Sequence, residues 1–128
     1  MIKKLETSDI AQILRMDDPI EKIFPCDKGA WIQWLNQYVD HPEIYMIGRS
    51  DNGHLVSYAV AISMVTPPLS KAVTIIFMSD PLDGGFRTEI SSWAKQKGAE
   101  VVMLQAKAIE ILKTLGADEI SYMGTWRV

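Results

Sequence analysis

The stretch from Met78 to Leu104, MSDPLDGGFRTEISSWAKQKGAEVVML, most strongly constrains the fold of this chain. The apolar segment KAVTIIFM leads into a glycine-containing loop, which is followed by an amphipathic helix and the short apolar segment EVVML. Phe86, Ile90 and Trp93 recur at helical spacing, and Gly98 ends the helix. A strand, a helix and a strand in this order predict a β-α-β unit with parallel strands.

A β-hairpin is predicted upstream, where EIYMIG and HLVSYAVAISMV flank RSDNG. Asn52 and Gly53 tolerate the positive φ angles that a tight two-residue turn requires. The second strand alternates Val56, Tyr58 and Val60 with smaller or polar residues, so one of its faces is the more apolar. KAVTIIFM follows as a third strand, and its continuous apolar character predicts burial on both faces.

Two helices are predicted between a short first strand, MIKKL, and the hairpin. Thr7 or Ser8 can cap the first helix, within TSDIAQILRM, and Asp27 can cap the second, within KGAWIQWLNQYV. The second helix carries a stripe at i, i+3, i+4 and i+7 that consists of Trp31, Trp34, Leu35 and Tyr38. Such a stripe is either buried or, in part, an exposed patch for a substrate or for self-association.

The chain ends with a further helical pattern, KAIEILKTLGA, and a last strand, EISYMGTW. The predicted order is therefore β-α-α-β-β-β-α-β-α-β. We expect a single domain over residues 1–128, of the α/β (α+β) class, with a mixed central sheet of about six strands and helices on both faces.

Composition excludes several classes of function. With 48% hydrophobic and 23% charged residues the chain is globular, and a net charge of −3 offers no broad basic surface for nucleic acid or anionic lipid. No apolar run approaches the length of a membrane span. The single cysteine, Cys26, favours a reducing compartment, so we expect a cytoplasmic protein. His41 and His54 lack partners at metal-binding spacing, and we expect no metal site.

The element order, in which a hairpin meander leads into one β-α-β unit, resembles the GNAT (Gcn5-related N-acetyltransferase) fold. The ending AIEILKTLGADEISY is similar to the family's helix that closes on Leu-Gly before a strand, here Leu115 and Gly116. The resemblance implies acetyl-coenzyme A as cofactor, held beside the central strand with its pyrophosphate at the N-terminus of the following helix. It also implies an amine as acceptor, on a small molecule or a protein of unknown identity.

The resemblance assigns seven residues to the coenzyme: Phe77, Met78, Gly84, Gly85, Phe86, Arg87 and Thr88. The family's loop motif is Gln/Arg-x-x-Gly-x-Gly/Ala, whereas DPLDGGFRTE has Arg87 at the last position and lacks the upstream Gln or Arg. Asp83 lies inside the loop, where its charge opposes that of a phosphate, unless Arg87 turns inward to compensate. For Gly84 and Gly85, a phosphate cradle and a plain turn both stay open.

No catalytic side chain is assigned. Many members of the family carry a tyrosine in the last helix that is suited to protonating the coenzyme thiolate, and the matching residue here is Leu112. Asp80 is either a general base at the end of the third strand or an exposed turn acid. Tyr122 is either a substitute acid or a core residue.

Two functions follow. The first is an acyl-coenzyme A-dependent N-acetyltransferase, which needs to position both reactants and to stabilise the oxyanion with a backbone N–H near Phe77 or Met78. The second is a GNAT-like domain that has lost transfer and serves as a binding or structural module, and IEILKTLGA also resembles GNAT-like virion or assembly proteins of bacteriophages. A homodimer is compatible with both, through the helices between Ser8 and Val39 or the C-terminal strand.

Overall fold

The computed structural model of the protein describes residues 1–18, 20, 27–66, 70–80 and 83–104. The described elements are, in chain order, β1 Ile2–Lys4, α1 Thr7–Ile13, α2 Lys28–Tyr38, β2 Ile44–Asp51, β3 His54–Thr66, β4 Ser70–Met78, α3 Gly84–Gln96 and β5 Val101–Leu104. The last predicted helix and strand lie outside the described residues, as do Cys26, Leu112, Leu115, Gly116 and Tyr122.

The described strands form one mixed sheet in the order β1-β2-β3-β4-β5. The pairs from β1 to β4 are antiparallel, and β4 pairs in parallel with β5 through the crossover helix α3. The predicted β-α-β unit and mixed sheet are therefore confirmed. Five of the roughly six expected strands are described, and none of the described helices is long and apolar enough to cross a membrane.

The hairpin between β2 and β3 turns where the sequence predicts it. Asn52 has φ 51° and Gly53 has φ 78°, so both central residues adopt the left-handed conformation. These angles match the right-handed twist of the flanking strands, which explains why an Asn-Gly pair closes this hairpin.

The helix starts confirm one predicted cap and correct the other. The Asp27 side chain accepts a hydrogen bond from the Ala30 backbone N–H at 2.7 Å and caps α2 as expected. The cap predicted for α1 at Thr7 or Ser8 is wrong, because the cap position is Glu6. The Glu6 N–H donates to the carboxylate of Asp9 at 2.9 Å, so an acid inside the first turn reaches back over the helix start.

Two apolar clusters lie on opposite faces of the sheet, as predicted for helices on both faces. Beneath α1 and α2, the buried residues include Leu5, Ile10, Ile13, Ile20, Trp31, Leu35, Val39, Met46, Leu55, Tyr58, Val60 and Phe77. Beneath α3 they are Ile47, Ala59, Ala61, Val73, Ile75, Met78, Phe86, Ile90 and Ala94. Phe86 and Ile90 are fully buried, and burial of each side chain stabilises the fold by roughly 1.5–3 kcal/mol.

The aromatic stripe of α2 belongs mainly to the core. Trp31 and Leu35 are buried, and Trp34 and Tyr38 are half-buried against the same cluster. Trp34 stacks on Trp31 with ring centroids 5.4 Å apart and meets Tyr38 at 5.2 Å. The stripe therefore shields the core, and only the outer edges of Trp34 and Tyr38 reach solvent.

Over the stretch in which the two strands pair, β4 contains one residue more than β3. Its pairing with β3 steps from Val60–Phe77 to Ala61–Ile75, which leaves Ile76 as the extra residue of a β-bulge. Side chains alternate between the faces of a regular strand, and an extra residue shifts that alternation. Ile75 consequently faces α3, whereas Ile76 and Phe77 both pack on the side of α1 and α2.

A buried polar network joins α2 and β3 to the segment that follows α1. The Tyr58 phenol oxygen accepts a hydrogen bond from Trp31 Nε1 at 2.9 Å and donates to Asp18 Oδ2 at 3.0 Å. Lys28 Nζ lies 3.5 Å from the same carboxylate oxygen, and the Asp18 side chain is only 1% exposed. Burial raises the pKa of Tyr58, so the phenol keeps its proton and remains the donor.

Replacement of Tyr58 by phenylalanine should destabilise the protein by about 1–3 kcal/mol, because it removes the acceptor of the Trp31 N–H and a buried donor to Asp18. Urea denaturation at neutral pH measures this loss. Tyr45→Phe is the matched control, since Tyr45 is half-buried and contributes its ring, which stacks on Trp93 at 5.0 Å. Equal stability of the two variants would contradict a structural role for the Tyr58 hydroxyl.

Candidate functional site

The carboxyl end of β4 is held by β3. The strand runs to Met78. The next residue, Ser79, is bound to β3, because its N–H donates to the Tyr58 carbonyl at 2.9 Å and its Oγ accepts from the Tyr58 N–H at 2.8 Å. The strand end is thus fixed on the β3 side.

Phe77 and Met78, which the resemblance assigns to the coenzyme, have buried side chains. The Phe77 ring lies 5.7 Å from that of Trp31 and 4.9 Å from that of Tyr58, measured between centroids. Met78 packs in the cluster beneath α3. Because both side chains are occupied by the core, these two residues can offer only backbone atoms to a ligand.

The other five predicted site residues lie together in the first turn and a half of α3. Gly84, Arg87 and Thr88 are exposed, and Gly85 is half-buried. The Thr88 hydroxyl donates to the Gly84 carbonyl at 3.4 Å. Phe86 has a fully buried side chain in the cluster beneath α3, so it too can contribute only its backbone.

Asp83 caps α3 and forms an ion pair that sequence reasoning did not find. Its carboxylate accepts a hydrogen bond from the Gly85 N–H at 3.0 Å. Arg49, on β2, binds the same carboxylate through both oxygens, with Nε–Oδ2 at 2.6 Å and Nη2–Oδ1 at 2.8 Å. A two-pronged bond from β2 thus offsets the charge of Asp83, in the geometry in which a guanidinium binds a carboxylate most strongly.

The ion pair changes the pKa of both partners, Arg49 and Asp83. The Arg49 guanidinium, followed by the Gly85 N–H, lowers the pKa of Asp83 against the opposing effect of burial, and the hydrogen bond to Asp83 raises the pKa of Arg49. The Asp83 side chain is 9% exposed and that of Arg49 is 39% exposed. Solvent therefore screens the arginine in part, and we treat the pair as a positional constraint rather than a large source of stability.

The two glycines of the loop have different reasons to be there. A Cβ atom on Gly85 would lie 2.6 Å from Arg49 Nη2 and 2.6 Å from Ile2 Cδ1, so any other residue there would displace the guanidinium or Ile2 from its present position. A Cβ on Gly84 would meet no atom within 4 Å. Gly85 thus leaves space for the ion pair, whereas the space beside Gly84, at the N-terminus of α3, is open.

Of the remaining candidates, Asp80 lies beside this group of contacts and the two histidines lie outside it. Asp80 is exposed, its backbone carbonyl accepts a hydrogen bond from the Asp83 N–H at 3.2 Å, and its charge adds to the effect of Asp83 in raising the pKa of Arg49. His41 Nδ1 accepts from the Glu43 N–H at 3.1 Å, and His54 is exposed beside the hairpin turn. Within the described part of the chain, no group of three His, Cys, Asp or Glu side chains could hold a metal ion.

One signal in the sequence could have pointed to Arg49. Residues two apart on a strand share a face, so Tyr45 and Ile47, which pack beneath α3, place Arg49 on the same face. An arginine that continues an apolar row at a covered face needs an anionic partner. The identity of that partner depends on where α3 begins relative to β2, which local patterns do not determine.

Asp83→Asn should lower stability at neutral pH and leave the helix capped, because asparagine is also a good N-cap residue. The folded pKa of Asp83 lies below its unfolded value, so the stabilisation is full above the ordinary aspartate pKa of about 3.9 and is lost as pH falls through the folded pKa. The gap between the wild type and the variant should therefore close in acid. Urea denaturation between pH 7 and pH 3 measures it.

The control is the same substitution in an Arg49→Gln background, where the carboxylate has lost its cation. Asp83→Asn should there cost less at neutral pH and show a weaker dependence on pH. An undiminished effect in that background would show that helix capping, and not the ion pair, lowers the pKa of Asp83.

The fold of the chain is similar to that of several solved structures, although no match is found at the level of sequence. No sequence-family model matches the chain, and no curated protein sequence matches it at a significant level. Aminoglycoside antibiotic 6'-N-acetyltransferase AAC(6')-IG from Acinetobacter haemolyticus matches with a TM-score of 0.81 and 11% identity, over 100% of this chain and 97% of that one. A GNAT family acetyltransferase from Staphylococcus aureus matches with a TM-score of 0.74 and 8% identity, over 100% and 98%.

A third structure, of a predicted acetyltransferase with acetyl-CoA from Clostridium acetobutylicum, matches with a TM-score of 0.74 and 14% identity, over 99% of this chain and 95% of that one. The alignments span nearly the whole length of both partners at very low identity, so what they establish is the fold. The chain has the fold of the GNAT acetyltransferases.

Proposed function

We propose that the protein is an acyl-coenzyme A-dependent N-acetyltransferase. The observation that carries the proposal is the end of β4, where the strand bulges at Ile76 and is followed along the chain by the N-terminus of α3, the helix that connects β4 to its parallel neighbour β5. In the resemblance drawn from the sequence, this is where the coenzyme lies. The nearly full-length likeness to acetyltransferases supports the same reading.

The reaction requires little from side chains. The amine nitrogen attacks the thioester carbonyl, the new C–N bond forms as the C–S bond breaks, and the thiolate leaves. Water or a base removes the proton from the amine, and a proton from solvent or an acid neutralises the thiolate. A backbone N–H near Phe77 or Met78 would stabilise the oxyanion, and such a fixed donor contributes most where the strand that holds it is rigid.

Rigidity at this point comes from the packing already described. Phe77 is locked between Trp31 and Tyr58, and Ser79 is hydrogen-bonded to the Tyr58 backbone in both directions. A backbone donor between these anchors keeps its position while charge develops on the substrate. The side chains that exchange protons are not assigned.

The coenzyme phosphates would lie at the first turn of α3. The N–H groups there point out of the helix, and the helix dipole favours an anion at that end. Gly84 is open, and Arg87 and Thr88 are exposed on the same turn. The acceptor would be a primary amine, and the likeness to aminoglycoside 6'-N-acetyltransferases makes an amine on a small molecule the first class to test.

One observation favours a second candidate, a GNAT-like module without transferase activity. The carboxylate of Asp83 already occupies the N-terminus of α3 and is bound by Arg49. If Asp83 and Arg49 stay bound to each other, no phosphate can bind at the N-terminus of α3, and the domain has the fold of a coenzyme-binding protein without a working coenzyme site. Binding of the coenzyme separates the two candidates.

Acetyl-coenzyme A should bind the wild-type protein in calorimetric titration, and Gly84→Glu should weaken the affinity by about tenfold or more because it places a carboxylate at the phosphate position. Gly84→Ala is the matched control and should bind normally, since a Cβ there meets nothing within 4 Å. Both variants should fold, because glutamate and alanine suit the first turn of a helix.

Acetyl-pantetheine, which lacks the phosphates, tests the part of the site that would hold the acetyl and pantetheine groups. Its affinity should be the same for the wild type and for Gly84→Glu. If neither ligand produces heat or a thermal shift at millimolar concentration, the transferase proposal is wrong and the module is the better description.

A further inference from the structure

The ion pair between Arg49 and Asp83 lies at the N-terminus of α3, where the proposed function places the coenzyme phosphates. The Asp83 carboxylate receives three hydrogen bonds there, two from the Arg49 guanidinium at 2.6 and 2.8 Å and one from the Gly85 N–H at 3.0 Å. Donors from two separate elements, β2 and α3, thus converge on a single anionic group.

The same donors would suit a phosphate. A guanidinium presents its N–H groups in a planar fork that matches carboxylate and phosphate oxygens alike. A backbone N–H at a helix start likewise accepts either anion. The Asp83 carboxylate therefore stands where a phosphate oxygen pair would stand, and the two cannot be bound at once.

The position of Arg49 is built into the fold. The register of β2 against β3 shifts beside it, from Arg49–Ser57 to Ser50–Leu55, so Val56 is an extra residue opposite this point. Such a bulge redirects neighbouring side chains. The absence of a side chain on Gly85 then lets the guanidinium lie against the first turn of α3.

We propose that Arg49 is the phosphate-binding arginine of this protein, supplied by β2 instead of by the loop, and that Asp83 is an internal competitor that yields the arginine when the coenzyme binds. The inference rests on the proposed function and specifies how its site works. Arg49 replaces the Gln or Arg that is absent from the upstream end of DPLDGGFRTE. Asp83 holds the arginine in place and lowers the affinity for the ligand.

Inorganic pyrophosphate is the probe, because it tests the anion site independently of the thioester. Titration of isotope-labelled protein, followed by the chemical shift of the Gly85 amide, gives the affinity at the helix start. Asp83→Asn should bind pyrophosphate about tenfold tighter than the wild type, because asparagine keeps the cap without the competing charge. Adding Arg49→Gln to that variant should abolish the gain.

Asp83→Asn with Lys95→Gln controls for the loss of one positive charge, since Lys95 is exposed in the last turn of α3. This double variant should bind pyrophosphate as tightly as Asp83→Asn alone. The inference is overturned if Asp83→Asn binds no better than the wild type, or if Arg49→Gln and Lys95→Gln reduce its affinity equally.

Acetyl-coenzyme A then separates this inference from the proposed function. Tighter pyrophosphate binding by Asp83→Asn, with no binding of acetyl-coenzyme A by any variant, would retain the anion site and reject the transferase. Binding of acetyl-coenzyme A with the same affinity by the wild type and Asp83→Asn would retain the transferase and reject Asp83 as a competitor.

Discussion

A single extra residue in β4, Ile76, determines how the two cores of the protein are filled. Without it, Ile75 and Phe77 would share a face, and the large Phe77 ring would enter the cluster beneath α3. The bulge instead places Phe77 against Trp31 and Tyr58, in the cluster beneath α1 and α2. The bulge directly precedes Phe77 and Met78, the two predicted site residues on β4.

The start of α3 meets two needs with one group. A helix N-terminus needs an acceptor for its unpaired N–H groups and favours a negative charge. In the structure Asp83 supplies both, and Arg49 offsets the charge that remains. Because a phosphate would meet the same needs, any ligand that binds here replaces an interaction that already stabilises the fold. Its net affinity is the difference between two similar sets of hydrogen bonds.

The parts of the fold that depend on neighbouring residues could be predicted from the sequence. The Asn52-Gly53 turn and the Asp27 cap are each encoded within a few residues and the β-α-β unit within one continuous stretch, and the structure confirms all three. The cap predicted at Thr7 or Ser8 was wrong because the Asp9 carboxylate accepts a hydrogen bond from the Glu6 N–H, and the helix therefore begins after Glu6 and not after a threonine or serine. Local signals are reliable only where a single residue can satisfy the helix end.

The parts that depend on distant residues could not be predicted. Arg49 and Asp83 are 34 positions apart, and they meet only because the register of β2 and the start of α3 bring them together. The bulge at Ile76 has no marker of its own in a run of apolar residues. Sequence reasoning therefore located the loop and its glycines but not the arginine that lies beside Gly85.

Electrostatics decides which set of contacts at this site is stronger. A pyrophosphate group carries more negative charge than a carboxylate, so both the guanidinium and the helix N-terminus attract it more strongly. The Asp83 carboxylate has the advantage of being attached to the chain, since its binding to Arg49 costs no translational entropy. A coenzyme that is held elsewhere along β4 shares that advantage, because its phosphates then approach Arg49 at a high effective concentration. Displacement of Asp83 is thus expected from the whole coenzyme more readily than from its isolated phosphates.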